Sequence, residues 1–169
     1  MKNAILITGF SNWGKTHLLR ALFERQNFGV SNVLQMPRNN QFYAVLGQSN
    51  DDDNLTNYLA NLNGCIRLSR QEKTDLIAAF CPTRVGNDRI PGRDSAGKND
   101  SRRIIRHLQS KQFEVHIILI KYKWELHAEL RMSDIRKFFG SFKGIKFYQV
   151  IDKTEEDKVN TIASILHRI

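Results

Sequence analysis

Residues 9–16 read GFSNWGKT and set two glycines, a lysine and a threonine in the order G-x-x-x-x-G-K-[ST]. That order suits the holding of a polyphosphate. Gly9 and Gly14 let the backbone curl until successive N–H groups point inward, and a helix opening at the end of the loop adds the positive end of its dipole. Phe10, Ser11, Asn12 and Trp13 line the loop between the glycines. Lys15 is placed to reach the β- and γ-phosphates, and the Thr16 hydroxyl to bind Mg2+. The Trp13 ring either stacks on a base or partner or packs against neighbouring chain. His17 falls in the first helical turn beside the cradle and has no catalytic partner in sequence.

The elements around this loop alternate. Residues 4–8 form a short apolar, β-branched run, and Leu18, Leu19, Leu22 and Phe23 then trace one face of a helix, so the motif lies between a strand and a helix as its chemistry requires. Two apolar runs at 33–36 and 42–46, separated by the turn-forming PRNN, predict a hairpin. DDDN at 51–54 offers N-caps for a helix carrying Leu55, Tyr58, Leu59 and Leu62, which Gly64 is expected to end, and Cys65, Ile66 and Leu68 suggest a short strand. Continuous apolar runs at 75–80 and 114–120 read as buried strands, joined by a helix with Ile104, Ile105 and Leu108. Residues 124–139 suggest one broken helix or two, parted near Ser133. A last strand at 145–151 precedes a helix with Thr154 as its cap and Val159, Ile162, Ala163 and Leu166 as its apolar face. Such alternation predicts an α/β three-layer sandwich: a mostly parallel sheet of about five strands with an antiparallel hairpin at its edge, forming a single domain over residues 1–169.

Composition narrows the setting. The chain has 169 residues, with 26 Lys and Arg against 17 Asp and Glu, a formal charge of +9. The excess is concentrated beyond residue 83, which suits an anionic partner such as nucleic acid, anionic lipid or a phosphorylated small molecule. No apolar run approaches the ~20 residues of a membrane helix. Cys65 and Cys81 lie in or beside apolar runs and no signal-like leader precedes Ile5, so the expected setting is cytoplasmic, with reduced thiols and no membrane insertion.

Through residues 9–16 and their strand and helix, the chain resembles the P-loop NTPase superfamily. That resemblance implies a parallel sheet with nucleotide at the carboxyl ends of its strands, ATP or GTP with Mg2+ as the ligand, and a second acidic residue at the end of an apolar strand. Here the sequence departs from the pattern. The strand at 75–80 ends in Phe80, Cys81 and Pro82, and the one at 114–120 ends in lysines. The remaining acids are Asp152 and the run Asp51, Asp52, Asp53, from which Asp53 is the expected metal ligand beside Thr16. Neither D-x-x-G after a strand nor N-K-x-D occurs, which favours ATP over GTP.

One long polar stretch at 84–101, RVGNDRIPGRDSAGKNDS, breaks the alternation. With parallel strands, the loops after Phe80, Ile120 and Ile151 emerge beside the cradle, bringing Arg84, Arg89, Arg93, Lys98, Lys121 and Lys123 toward the phosphates. Arg93 is the expected cation for charge developing on a transferred phosphoryl group, and the stretch itself a lid or a docking surface for an anionic second substrate. Arg102, Arg103, Arg106 and Lys111 offer a further basic helix face with no interleaved aromatics, so support for nucleic acid is charge alone. Three functions fit these features: an ATP hydrolase serving as the nucleotide-driven subunit of an assembly with a protein partner, a small-molecule or nucleotide kinase, and a nucleotide-sensing module with little hydrolysis.

Overall fold

The computed structural model describes residues 1–10, 12–27, 29–82, 100–123, 129–140 and 142–169. In chain order the elements are β1 (Lys2–Thr8), α1 (Lys15–Phe23), β2 (Ser31–Gln35), β3 (Phe42–Leu46), α2 (Leu55–Gln71), β4 (Asp75–Phe80), α3 (Asp100–Ser110), β5 (Phe113–Ile120), α4 (Met132–Phe138), β6 (Ile145–Val150) and α5 (Glu155–Leu166). Strands of Ile, Leu, Val and Ala with no polar alternation are suited to burial on both faces. They form one sheet in the order β2-β3-β4-β1-β5-β6. All neighbours pair parallel except β2 with β3.

The sheet therefore has six strands rather than about five, because the hairpin around residues 37–40 joins it edge-on through β3. Five helices cover its faces, consistent with a three-layer sandwich. One layer pairs α1 with α5. The other joins α2 to α3 through the His107–Asn63 contact at 2.7 Å, and α3 to α4 through Arg102, whose Nε and Nη2 donate to the Phe138 carbonyl at 3.1 and 2.8 Å.

Two local expectations give way. Gly64 does not end a helix and residues 65–68 are not a strand, since both lie inside the 17-residue α2. The buried stripe Tyr58, Leu62, Cys65, Ile66, Ser69 keeps a helical period across Gly64, and packing along it outweighs the glycine's poor propensity. Ser133 likewise marks no break, for it sits within α4, while residues 124–128 lie outside the described part. The long polar stretch also lies outside it, apart from Asp100 and Ser101, which open α3.

A polar row crosses the lower end of this apolar sheet. Buried His116 on β5 shares hydrogen bonds with the Tyr148 hydroxyl at 3.2 Å and Asn3 Oδ1 at 3.0 Å, and Asn3 in turn donates to Asp75 at 3.1 Å. Burial holds the His116 imidazole below its usual range, against the opposing pull of Glu114.

Two outcomes follow for stability. A Cβ on Gly64 would meet only Ser31 Oγ, at 3.5 Å, an ordinary contact. Gly64→Ala should therefore raise stability by ~0.5–1 kcal/mol, read as a higher midpoint in denaturant. Because His116 is favoured neutral in the fold, its contribution is present above the unfolded pKa of ~6.5 and is lost as pH falls through the lower folded value. The wild-type melting temperature should drop below pH 6.5 more steeply than that of His116→Gln. Parallel curves would assign the acid sensitivity elsewhere.

Candidate nucleotide site

Parallel pairing sets Thr8 of β1 level with Phe80 of β4 and Leu119 of β5, so the chain leaves each strand at the same sheet edge. The motif loop rises there. Its first step continues the ladder, the Gly9 N–H donating to the Phe80 carbonyl at 3.1 Å. Asn12 at φ 61° and Gly14 at φ 77° then turn the backbone into the left-handed region, and α1 begins at Lys15. Glycine adopts that conformation without the Cβ penalty, which accounts for its place at the crest.

The N-terminus of α1 differs from those of α2 and α5. Asn54 accepts from the Asn57 N–H at 2.9 Å and Thr154 from the Asp157 N–H at 3.2 Å, whereas Gly14 has no side chain and α1 carries no side-chain cap. Among the described residues no side chain caps its first-turn amides, and no acidic residue occupies that turn. Thr16 is half-buried on this turn and His17 is exposed.

Lys15 is 4 % exposed, and its Nζ donates to the Phe10 carbonyl at 2.7 Å across the loop. Asp51 Oδ1 stands 3.8 Å from the same Nζ, its side chain 7 % exposed, and also accepts a hydrogen bond from the Ser49 hydroxyl. The carboxylate brought to the cradle is thus Asp51. Asp53 faces α2 instead, accepting from the Asn54 N–H at 2.7 Å and from Asn57 Nδ2 at 3.2 Å. Asp52 sits between the two; burial, then the neighbouring Asp51 charge, raise its carboxyl above the usual range.

Asp51 is placed by the residue before it. Buried Asn50 donates through Nδ2 to the Cys81 carbonyl at 2.8 Å and accepts the Cys81 N–H at 2.6 Å. This amide extends the β3–β4 ladder one rung beyond Leu46 and Phe80, at the place where β4 lacks an acid. β4 therefore contributes a backbone anchor, and the carboxylate comes from the adjoining loop. Nothing in the periodicity of QSNDDDN marks Asn50; the sole signal is an amide within a polar turn after a strand.

Trp13 is 1 % exposed and packs edge-on against Phe10, with centroids 5.4 Å apart at 87°. Its ring belongs to the interior, and its buried Nε1 has no hydrogen-bond partner among the described residues. It forms one wall of a cleft of about 500 Å³ between the starts of α1 and α5, with Asn12, His17, Glu155 and Lys158 around it. Lys158 is buried and donates to the Tyr122 carbonyl at 2.9 Å, tying α5 to the segment after β5; burial lowers its pKa while Asp152 and Glu155 oppose the shift. Asp152 is thereby associated with Lys158 and not with Lys15. Lys121 and Lys153 flank the Tyr122 ring at 5.2 and 5.6 Å, which gives this rim a positive character. A larger hollow of about 830 Å³, lined by Ser31, Gln41, Glu72 and Asp75, holds none of the motif.

Ser11 and Arg93 lie outside the described residues, as do Arg84, Arg89 and Lys98. Among the described residues no helix is long and apolar enough to cross a membrane, and no three His, Cys, Asp or Glu side chains cluster as a metal cage. No protein-family model matches the chain and no curated protein is similar to it.

Asn50 provides the test of this geometry. Asn50→Ala removes both hydrogen bonds that tie the loop after β3 to the buried Cys81 backbone, at a cost of ~1–3 kcal/mol, or roughly 2–4 °C of melting temperature for each kcal/mol. A melting temperature unchanged from wild type would remove the amide bridge as the anchor of this loop.

Proposed function

We propose that the chain binds a nucleoside triphosphate, ATP in preference to GTP, with Mg2+ at residues 9–17 and hydrolyses it, as the nucleotide-driven part of a larger assembly. The observation that carries this reading is Lys15: a buried ammonium at the root of an uncapped helix, facing Asp51 across a loop turned by Gly14. Open first-turn amides and a cation whose partner in the loop is a neutral carbonyl favour a strongly anionic ligand. Thr16 and Asp51 would hold the metal, which supplies charge neutralisation to the phosphate oxygens when bound.

The protein's own groups divide the remaining work. The amides of residues 14–17 orient the phosphate chain, and Lys15 moves from the Phe10 carbonyl to a phosphate oxygen as charge develops there. Asp52, next to Asp51 and with its carboxyl pKa raised, is suited to accept a proton from an attacking hydroxyl or water. That carboxylate also favours a second reading, phosphoryl transfer to an acceptor hydroxyl by a small-molecule or nucleotide kinase, with Arg93 as the transition-state cation in either case.

Thermal shift tests the binding step. At a ligand concentration of ~100 Kd, Mg·ATP should stabilise the wild type by ~2.7 kcal/mol and Lys15→Ala hardly at all. Equal shifts in the two proteins would end the nucleotide reading. Radiolabelled ATP then separates the chemistries: phosphate released without acceptor, and reduced at least tenfold in Asp51→Asn, is the hydrolase outcome, while label retained until an acceptor is added is the kinase outcome.

A further inference from the structure

The positive charge of this protein is not spread evenly over its two helical layers. In α2, α3 and α4 seven arginines and lysines stand against two aspartates, whereas α1 and α5 together carry three basic residues against three acidic ones. Several of the cations in the first layer are fixed in place without an acidic partner. Arg102 lies 4.4 Å over the Phe138 ring, Arg106 lies 5.3 Å over Phe142, and Arg70 donates to the Lys111 carbonyl at 3.0 Å. Carbonyls and rings orient a guanidinium and leave its charge uncompensated. The four salt bridges among the described residues involve none of them.

At the sheet end away from the motif loop this layer borders two adjoining hollows of about 510 and 620 Å³, which share Met1 and Phe113. Arg106 and Lys143 line one; Lys2, Arg70 and Lys111 line the other. The single acid on their walls is Glu114, already paired with Lys146 at 3.0 Å, and that partner holds its carboxyl below the usual range. Five cations that make no ion pair among the described residues therefore line the groove formed by these two adjoining hollows.

We infer that this groove and the α2–α3–α4 face beyond it bind the phosphate backbone of a nucleic acid. A backbone presents repeated single charges along a line, which suits cations held at fixed positions on a rigid layer. Among the described residues of this layer no aromatic ring is exposed for base stacking, so binding is sequence-independent and governed by salt. An anionic membrane is the lesser fit: of the large exposed apolar residues, Met1, Val30, Phe42 and Ile151, only Met1 borders the groove, and interfacial binding needs an apolar face to bury. This surface is separate from the nucleotide site and does not depend on the function proposed there.

Anisotropy of a fluorescein-labelled 20-base-pair duplex, titrated with the full chain at 50 and 200 mM salt, tests it. The wild type should bind at low salt and weaken steeply as salt rises. The triple variant Arg70→Gln/Arg106→Gln/Lys143→Gln should bind at least tenfold more weakly, with a salt slope shallower by about 2 to 3. Arg20→Gln/Arg25→Gln/Arg168→Gln removes the same charge elsewhere and should bind within twofold of wild type. Equal losses in both triples would reduce the effect to net charge and overturn the inference. So would a failure to bind duplex at 50 mM salt, with or without binding to phosphatidylserine vesicles. Should the groove triple not fold by circular dichroism, Arg103→Glu/Lys143→Glu, two exposed positions, carries the same expectation of a tenfold loss. Retention of the Mg·ATP thermal shift in the groove variants would show that the two sites fail or stand separately.

Discussion

Everything at the candidate site depends on β1 being paired on both sides. All seven of its residues pair in parallel with β5 and five of them, Ala4–Thr8, with β4, and the buried run Ala4–Ile7 is closed off by strands laterally and by helices above and below. A parallel neighbour on each side requires crossover connections, so the chain must return to the same sheet edge after every parallel strand. That edge collects the motif loop, the turn after β3, and the segments after β5 and β6. The cradle is thus made by local sequence, and its surroundings by topology.

The limits of what sequence shows follow from the same division. The turn at Gly14 and the helix opening at Lys15 were legible because a glycine and lysine between an apolar run and an apolar helical face are local signals. The strands were legible because burial on both faces leaves an unbroken apolar run, and the cap at Thr154 because a hydroxyl three residues before an amide is a local signal. Gly64 misled because propensity is a weak force beside a buried stripe carried by Tyr58, Leu62, Cys65 and Ile66. Asp51 could not be told from Asp53 in a run of three aspartates. The side-chain amide of Asn50, bonded to a residue 31 positions away, anchors the loop, while the Ser49 hydroxyl holds Asp51 and the start of α2 holds Asp53.

The two helical layers also divide the surface by charge. Acidic residues open α5 next to the cleft beside α1, while arginines dominate the opposite layer and the far end of the sheet. A molecule so polarised orients itself in the field of any extended anion before contact, with the motif edge held clear of it.

Lys15 carries a thermodynamic consequence of its own. A long aliphatic ammonium side chain exposed to solvent gives up on the order of 2 kcal/mol of rotamer entropy when it is first immobilised. Here that loss has been taken during folding, since the side chain is already enclosed and oriented by the Phe10 carbonyl. On the proposed reading, a ligand that displaced that carbonyl would meet a lysine needing a small displacement and no search. The protein thus accepts a somewhat lower folding stability, and binding of the proposed ligand would be correspondingly less opposed by entropy.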